Sequence, residues 1–359
     1  MGIARKHSIN IIVKKCERGP GMRILLAIVI TLAAAWAGYW FIGSSALQSG
    51  LAAWFDARRA EGWVAEYSDL SVKGFPNRFD TTLSDLRLAD PAAGLGWEAP
   101  FLQLLTLSYT PNHIIAVWPH EQRITGPGGA FTLASDDMRA SVVADPNTTL
   151  ALRRSTLTAE DVALTPDDGS GAISAGVLRL AVERLEDASA THQPRYHLGL
   201  LAQDVAPPAP VMALLEGDIS LARVIDRIAA DLTVDFDAPW DRYALEDARP
   251  QPTRIAVKSA GLHWGAMSLE ASGALRVDIG GRPSGTLTVS ARGWRQMLDI
   301  AAEAELLTRD LADTAERALA VMAGGNESDA ALNIPLTFKG GRVWIGPIPI
   351  APAPVLRLN

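Results

Sequence analysis

The sequence predicts a mainly β (α+β) protein. We expect a long twisted antiparallel sheet, or β-groove, covered by one long C-terminal helix and preceded by a single N-terminal transmembrane helix. Three observations predict this class: an uncharged apolar run near the N-terminus, short alternating segments separated by Gly, Pro, Asn and Asp, and one late segment with apolar residues at helical spacing. With 48% hydrophobic residues, 20% charged residues and one cysteine among 359 residues, the composition excludes a disordered chain, a disulfide scaffold and a polytopic membrane protein.

The uncharged run at residues 24–42 has the length of a membrane span. Its nineteen residues would extend ~28 Å as a helix, close to the ~30 Å thickness of the hydrocarbon core. We expect an uncleaved signal-anchor, because the run is longer than a usual signal-peptide core and no Ala-x-Ala follows it. A signal peptide cleaved at Ser44-Ser45-Ala46 is the alternative. The residues expected to anchor the chain in the bilayer are Ile24, Leu32, Trp36, Trp40 and Phe41.

Charge predicts the orientation of the chain. Residues 1–23 carry six basic residues and one acidic residue, a net charge of +5. Because the whole chain carries −7, the remaining residues carry −12. Basic flanks stay in the cytoplasm, so we expect a disordered cytoplasmic tail, a single-pass inner (cytoplasmic) membrane location and a C-terminal body in the periplasm. Cys16 lies in the tail, which leaves the exported part without a disulfide. Translation from Met22 instead of Met1 stays open.

The chain after the span divides into a helix and a β-rich body. Residues 43–62 have helical spacing and predict a juxtamembrane helix that ends at Gly62. Residues 63–359 form the predicted periplasmic body in two halves, 63–206 and 211–359. The tract Pro207-Pro208-Ala209-Pro210 between them is a domain boundary or a stiff crossover. No change of composition accompanies it, which favours one continuous body.

Alternation predicts the strands. Residues 269–279 alternate apolar and polar side chains, Gly280-Gly281-Arg282-Pro283 turns the chain, and 286–290 returns, so one face of this hairpin is dry and the other wet. Residues 336–338 and 342–345 flank a second glycine turn. Asp136-Asp137 and Asp167-Asp168 are predicted to be solvated turns. Further strands are predicted at 78–88, 103–109, 113–118, 130–133, 138–143, 150–157, 178–182, 195–201 and 228–236.

One late segment has helical periodicity. Residues 294–323 carry apolar side chains three and four positions apart, and Gly324-Gly325 would end the helix. A helix of this length would extend ~45 Å and would lie on the dry face of the sheet. The apolar positions are Met297, Ile300, Ala304, Leu307, Leu311, Ala315, Leu319 and Met322.

Several motifs in a fixed order carry a family resemblance. They are Gly74-Phe75-Pro76, Gly96-Trp97-Glu98-Ala99-Pro100, His263-Trp264-Gly265 and the stretch from Gly340 to Pro347. Their order resembles the bacterial domain of unknown function 2125 family over nearly everything after Met22. The resemblance implies an envelope protein of Gram-negative bacteria with an N-terminal anchor, a periplasmic body and no assigned catalytic residues. The chain is also similar, more distantly, to AsmA-like proteins, which implies a long β-groove with an apolar floor that moves lipids between membranes.

Motifs for catalysis are absent from the sequence. Its histidines, at positions 7, 113, 120, 192, 197 and 263, form no metal-binding pair, and no exported cysteine could complete a zinc site. Residues 172–176 lack the first glycine of a nucleophile elbow, and Gly126-Pro127-Gly128-Gly129 lacks the Lys-Ser/Thr of a phosphate loop. We therefore predict no catalytic residue, no cofactor and no metal. The charge of −12 on the exported part disfavours nucleic acid as a partner.

The function predicted from these patterns is non-enzymatic. We expect the body to bind or conduct lipid or another apolar ligand along a β-groove, with the lipid bilayer as a second partner. One alternative is a scaffold or assembly factor that engages an envelope protein partner through an edge strand, and the other is a cryptic hydrolase using His113 or His263 beside a serine or carboxylate. The residues expected to line the groove or pack beneath it are Trp97, Trp118, Trp264, Leu275, Val277 and Trp344.

Overall fold

The computed structural model describes residues 20–186, 193–215, 222–246, 249–303, 308–322 and 331–358. Most of the predicted basic tail lies outside these residues, and so do Cys16, His7, His192, Ala304, Leu307 and Gly324-Gly325.

One continuous helix precedes the sheet. Helix α1 (Pro20–Ala60) includes both the predicted span and the predicted juxtamembrane segment, and Gly62 follows it with a φ of +89°. Of the described helices it alone is long and apolar enough to cross a membrane, and its most apolar 18-residue window has a mean hydropathy of 2.0. Only 6% of that window is buried within the described part of the protein, so the sheet does not cover this surface.

The described chain folds into one sheet of seventeen strands, which confirms the mainly β class. Short helices α2 (Ala209–Leu215) and α3 (Tyr243–Glu246) lie in connections between strands. The strands are β1 (Val64–Glu66), β2 (Asp69–Lys73), β3 (Arg78–Asp90), β4 (Leu95–Leu107), β5 (Thr110–Val117), β6 (Glu121–Gly126), β7 (Gly129–Ala144), β8 (Leu152–Pro166), β9 (Ile173–Leu185), β10 (Arg195–Val205), β11 (Ile225–Phe236), β12 (Pro252–Trp264), β13 (Met267–Val277), β14 (Pro283–Arg292), β15 (Leu332–Lys339), β16 (Arg342–Ile345) and β17 (Ile348–Pro352).

The sheet is an antiparallel meander. From β7 to β17 every strand pairs with the strand that precedes it in the chain. At the N-terminal end β1 and β2 both pair with β3, and β4 pairs with β5 and β6, which both pair with β7. Strands β10 and β11 pair from Arg195↔Asp235 to Val205↔Ile225, so the sheet runs without a break across the proline tract. The two glycine hairpins form as predicted.

Aspartates in the left-handed backbone region shift the alternation inside four strands. They are Asp85 in β3, Asp137 in β7, Asp161 in β8 and Asp204 in β10, with φ between 47° and 53°. Aspartate tolerates this region better than most residues, so it can occupy such a position without leaving the strand. In β3 the shift lets Leu83 and Leu86, three residues apart, join the same buried cluster.

These irregular positions explain a wrong prediction. Residues 130–133 and 138–143 are not separate strands, and Asp136-Asp137 is not a turn between them, because both lie inside the single strand β7. Asp167-Asp168 does form the predicted turn after β8.

The prediction of one long C-terminal helix is also wrong. The structure has two short helices there, α4 (Trp294–Glu303) and α5 (Arg309–Met322). Arg295 Nε lies 3.2 Å from Glu316 Oε1, whereas one continuous helix would place these residues ~31 Å apart. Helix α5 therefore lies against α4. The physical reason is local, since Thr308 and Asp310 are helix-start residues inside an otherwise periodic pattern.

Candidate functional site

One face of the sheet is lined by uncharged side chains in three adjacent rows, which together we call the apolar face. Residues paired in register share a face, so each row can be followed from strand to strand. The first row contains Phe79, Thr106, Ile114, Val142, Ser155, Val182, Leu198, Leu232, Val257, Gly273, Leu287 and Leu336. The second contains Leu104, Ala116, Ala140, Leu157, Leu180, Leu200, Ala230, Ala260, Ala271, Val289 and Ile334. The third contains Ala159, Leu178, Ala202, Ile228, Leu262, Leu269, Ala291 and Leu332.

The opposite face of the sheet is polar. A row on this face contains Val143, Arg154, Glu183, His197 and Thr233. On the same face Asp231 lies 2.7 Å from His197 Nε2 and 2.8 Å from Lys258 Nζ. Hydrogen bonds from Lys258 and His197 lower the pKa of Asp231, and the bond to Asp231 raises the pKa of Lys258. The sheet thus has one charged face and one uncharged face.

Helices cover the apolar face at both ends. At the N-terminal end Trp40 of α1 stacks on Phe79 with ring centroids 5.9 Å apart, and Phe55 of α1 belongs to the buried cluster of Leu83 and Leu86. At the C-terminal end, residues of α4 and α5 pack on strands β14 and β15. That second cluster contains Trp294, Met297, Leu298, Leu319 and Ala320 over Ala291, Leu332 and Ile334.

Between these helices the described part of the chain leaves several residues of the apolar face exposed. Ile114, Val142 and Leu180 belong to its first two rows and are 40%, 39% and 38% exposed. Strands β5 and β14 are eight strand spacings apart along the rows, which corresponds to about 40 Å at ~4.8 Å per spacing. The result is a long uncharged floor with a helix at each end.

A cavity of about 680 Å³ lies on this floor over strands β8 to β12. Its lining includes Val182 and Leu198 of the first row and an aromatic group of Tyr196, Phe236 and Trp240. The Tyr196 and Phe236 rings, and the Phe236 and Trp240 rings, meet edge to face at 5.8 and 5.7 Å. The Tyr196 hydroxyl accepts a hydrogen bond from the Trp240 backbone N–H at 3.1 Å, and burial raises the pKa of Tyr196. The cavity is therefore apolar, and its buried hydroxyl has a partner.

The C-terminal residues 355–358 form the other wall of the cavity, and we call them the strap. The Leu356 N–H donates to Gly281 O at 2.7 Å, and the Gln251 side chain bonds both the N–H and the carbonyl of Leu358, at 3.0 and 2.8 Å. Gly281 has a φ of +76°, and a Cβ there would lie 2.9 Å from Val355 Cγ1, so glycine suits both the turn and the close approach of the strap. The strap is thus held against the β13–β14 turn and the residues before β12.

The structure does not bring the six predicted lining residues together. Leu275 and Val277 are buried at the end of β13, and Leu275 pairs with Ile255, which lines the cavity. Trp97 packs against the α1 cluster, and its Nε1–H donates to Gln122 Oε1 at 2.9 Å.

The other three tryptophans lie elsewhere in the sheet. Trp118 follows β5 and is half-buried. The Trp264 Nε1–H donates to Ala222 O at 2.6 Å, at the far end of β12 from the cavity. Trp344 pairs with Thr337 on the polar face, and its Nε1–H donates to Lys339 O at 3.2 Å.

Sequence reasoning missed the aromatic residues that line the cavity. Phe236 ends a predicted alternating strand and Trp240 follows it closely, so this part of the lining had a local signal. The strap had no local signal in the sequence, because its contacts with Gly281 and Gln251 join residues that are 75 and 107 positions apart.

Two histidines have the kind of neighbour that a hydrolase would use. His113 Nε2 lies 2.9 Å from Ser141 Oγ, and His263 Nε2 lies 3.5 Å from Glu270 Oε1. His113 pairs with Val143, so it shares the polar face with Ser141, and the two are ordinary diagonal neighbours across strands. Within the described ranges no group of three His, Cys, Asp or Glu residues is arranged to hold a metal ion.

A family comparison matches the part of the chain that contains this architecture. The model of a family described as uncharacterized protein conserved in bacteria (DUF2125) matches residues 40–354. The chain belongs to the DUF2125 family. No curated protein and no solved structure matches it significantly. The DUF2125 match begins at Trp40 within α1, includes all seventeen strands with α4 and α5, and stops just before the strap.

Proposed function

We propose that this DUF2125 protein is a non-enzymatic envelope protein that binds lipid or another apolar molecule along its apolar face. The observation that carries the proposal is the uncharged floor, which is about 40 Å long, is left exposed by the described residues at Ile114, Val142 and Leu180, and includes the 680 Å³ cavity. Soluble monomers rarely expose contiguous apolar surface of this extent without a binding partner.

The chemistry of the floor favours an acyl chain over a polar ligand. Backbone groups in the interior of the sheet are bonded to neighbouring strands, and the side chains of the three rows are uncharged. Such a surface offers few directional contacts. It stabilises a ligand by removing apolar area from water, which contributes ~0.8 kcal/mol for each buried CH₂ group.

The proposal includes a location. The apolar surface of α1 fits a membrane span, and the basic residues before it favour a cytoplasmic N-terminus. The acidic body would then lie in the periplasm of a Gram-negative cell, anchored to the inner membrane.

The scaffold alternative has less support at the sheet edge. Strand β17 is an exposed edge, but Pro349 and Pro352 within it lack the N–H groups that a further strand would need. The hydrolase alternative rests on the His113–Ser141 contact, which lies on the polar face and away from the cavity.

Photocrosslinking in living cells tests the proposal. Leu180 points to the open floor and Arg179 to the polar face, so each is replaced in turn by p-benzoylphenylalanine in the full chain. We expect lipid adducts by mass spectrometry from position 180 and none from the matched position 179. A protein adduct alone at position 180 would favour the scaffold alternative. Equal yields at both positions, or no adduct, would contradict a lipid-binding floor.

A further inference from the structure

The tips of two hairpins are bonded to aromatic residues of α1. The Trp36 Nε1–H donates to Pro76 O at 3.0 Å, and the Trp40 Nε1–H donates to Arg78 O at 2.7 Å. The Tyr39 hydroxyl donates to Ser108 O at 2.6 Å. The β2–β3 turn and the β4–β5 turn are therefore fixed at the level of residues 36–40 of the helix.

The length of α1 determines how deep these tips would lie. From Ile24, where the uncharged run of α1 begins, to Trp36 the helix extends only ~18 Å, which is less than the ~30 Å thickness of a hydrocarbon core. A bilayer spanned by α1 must therefore extend beyond Trp36, to the level of the hairpin tips. Tilting the helix places still more of its residues inside the bilayer, so tilt strengthens this conclusion.

The side chains at the tips suit such a position. Phe75 is 53% exposed and Tyr109 is 61% exposed. The Phe75 ring stacks on Phe41 of α1 with centroids 5.8 Å apart, and Phe41 itself is 60% exposed. Aromatic rings with one apolar surface and one polar contact are typical of the membrane–water interface.

The charges around the tips agree with this reading. Residues 74–77 and 107–110 contain no charged side chain. Two charged residues flank the β2–β3 turn: Arg78, whose guanidinium lies 2.9 Å from Asp80 Oδ1, and Lys73, which is exposed and pairs in register with Asp80. The turns themselves bring no charge into the headgroup layer, and the long Lys73 side chain can keep its ammonium group in water or among the lipid phosphates.

We infer that the β2–β3 and β4–β5 hairpin tips form a membrane-contact rim that inserts Phe75 and Tyr109 into the bilayer spanned by α1. The inference rests on the proposed function in one respect, that α1 is a membrane span. It adds an entry route, because Ile114 of β5 and Val142 of β7 begin the open floor beside these tips. An acyl chain could then pass from the bilayer to the apolar face without crossing water.

Site-directed spin labelling tests the rim. In a Cys16→Ser background, which removes the single native cysteine, the full chain receives one label through Phe75→Cys or Tyr109→Cys. Ala92→Cys, in the exposed turn at the other end of β3, is the matched control about 40 Å away along the strand. Leu32→Cys reports insertion of α1. The probe is a nanodisc of phosphatidylethanolamine and phosphatidylglycerol, and power saturation measures collisions with oxygen and with a water-soluble nickel chelate.

We expect labels at positions 75 and 109 to have an oxygen-to-nickel accessibility ratio several-fold higher than the label at position 92. The rim is contradicted if position 32 is shielded from nickel while positions 75 and 109 match position 92. If the label at position 32 is itself accessible to the nickel chelate, α1 does not span the bilayer, and the proposed rim is contradicted together with the proposed span. Two rim positions are used so that a local disturbance of the Phe75–Phe41 stack cannot decide the result alone.

Discussion

At the scale of single residues, Tyr196 connects the stability of the sheet to the cavity. Its side chain is fully buried, its ring packs edge to face on Phe236, and its hydroxyl accepts the Trp240 N–H. Burial raises the pKa of the hydroxyl because the charged phenolate is poorly solvated there. Tyr196 therefore stabilises the fold in its neutral form, and ionisation of its buried hydroxyl would cost free energy.

Tyr196→Phe should destabilise the protein by about 1 kcal/mol at pH 7, because the Trp240 N–H loses its acceptor. The folded-state pKa is raised, so the contribution of Tyr196 is complete below the unfolded pKa of ~10 and is lost as the pH rises toward the folded pKa. The difference in unfolding free energy between the two proteins should therefore narrow above pH ~10. Urea unfolding of both proteins at pH 7 and at pH 10.5 measures this difference in unfolding free energy. A difference that is the same at both pH values would contradict this account.

At the scale of elements, the sequence predicted what local chemistry determines. The β13–β14 and β15–β16 hairpins follow from alternation around glycine turns, and α1 follows from an uninterrupted apolar run. Strand β7 was split in the prediction, because Asp137 shifts the alternation and looks like a turn residue. The α4–α5 pair was merged, because both helices have the same spacing and periodicity carries no information about where they separate.

The strap can be tested as an element. Removing residues 355–359 takes away the bonds to Gly281 and Gln251 and one wall of the cavity. We expect stronger binding of a hydrophobic fluorescent dye, with an unchanged far-ultraviolet circular dichroism spectrum. The control is Pro354→Ala, since Pro354 is exposed and does not line the cavity. Dye binding equal to that of the control would mean that the strap does not close the cavity.

At the scale of the whole molecule, the apolar face has regions that helices cover and regions that are exposed. The alternation of apolar and polar residues alone predicted that the sheet has an apolar face. The positions of the covers, the cavity and the strap were not, because they depend on contacts between residues far apart in the chain. Half-exposed residues such as Val142 lie between the covers, whereas Ala291, only 5% exposed, lies beneath the α4–α5 pair.

A single carboxylate on the apolar face should therefore cost different amounts of stability at these two places. Val142→Asp should lower the unfolding free energy by about 1 kcal/mol or less, because the new charge remains in contact with water. Ala291→Asp should lower it by about 3 kcal/mol or more, because the charge is buried without a partner. Chemical denaturation of both variants measures the contrast. Equal costs would mean that the middle of the face is covered as well.

The meander has a consequence for how the protein is assembled and how its length can change. Because nearly every strand pairs with its neighbour in the chain, most pairings close short loops, and such local contacts favour rapid folding. A chain that folds from its N-terminal end could add hairpins one at a time to the edge already held by α1. In such a quasi-one-dimensional sheet each hairpin contacts mainly its two neighbours. Evolution could therefore lengthen or shorten the floor by whole hairpins while leaving the two helical ends unchanged.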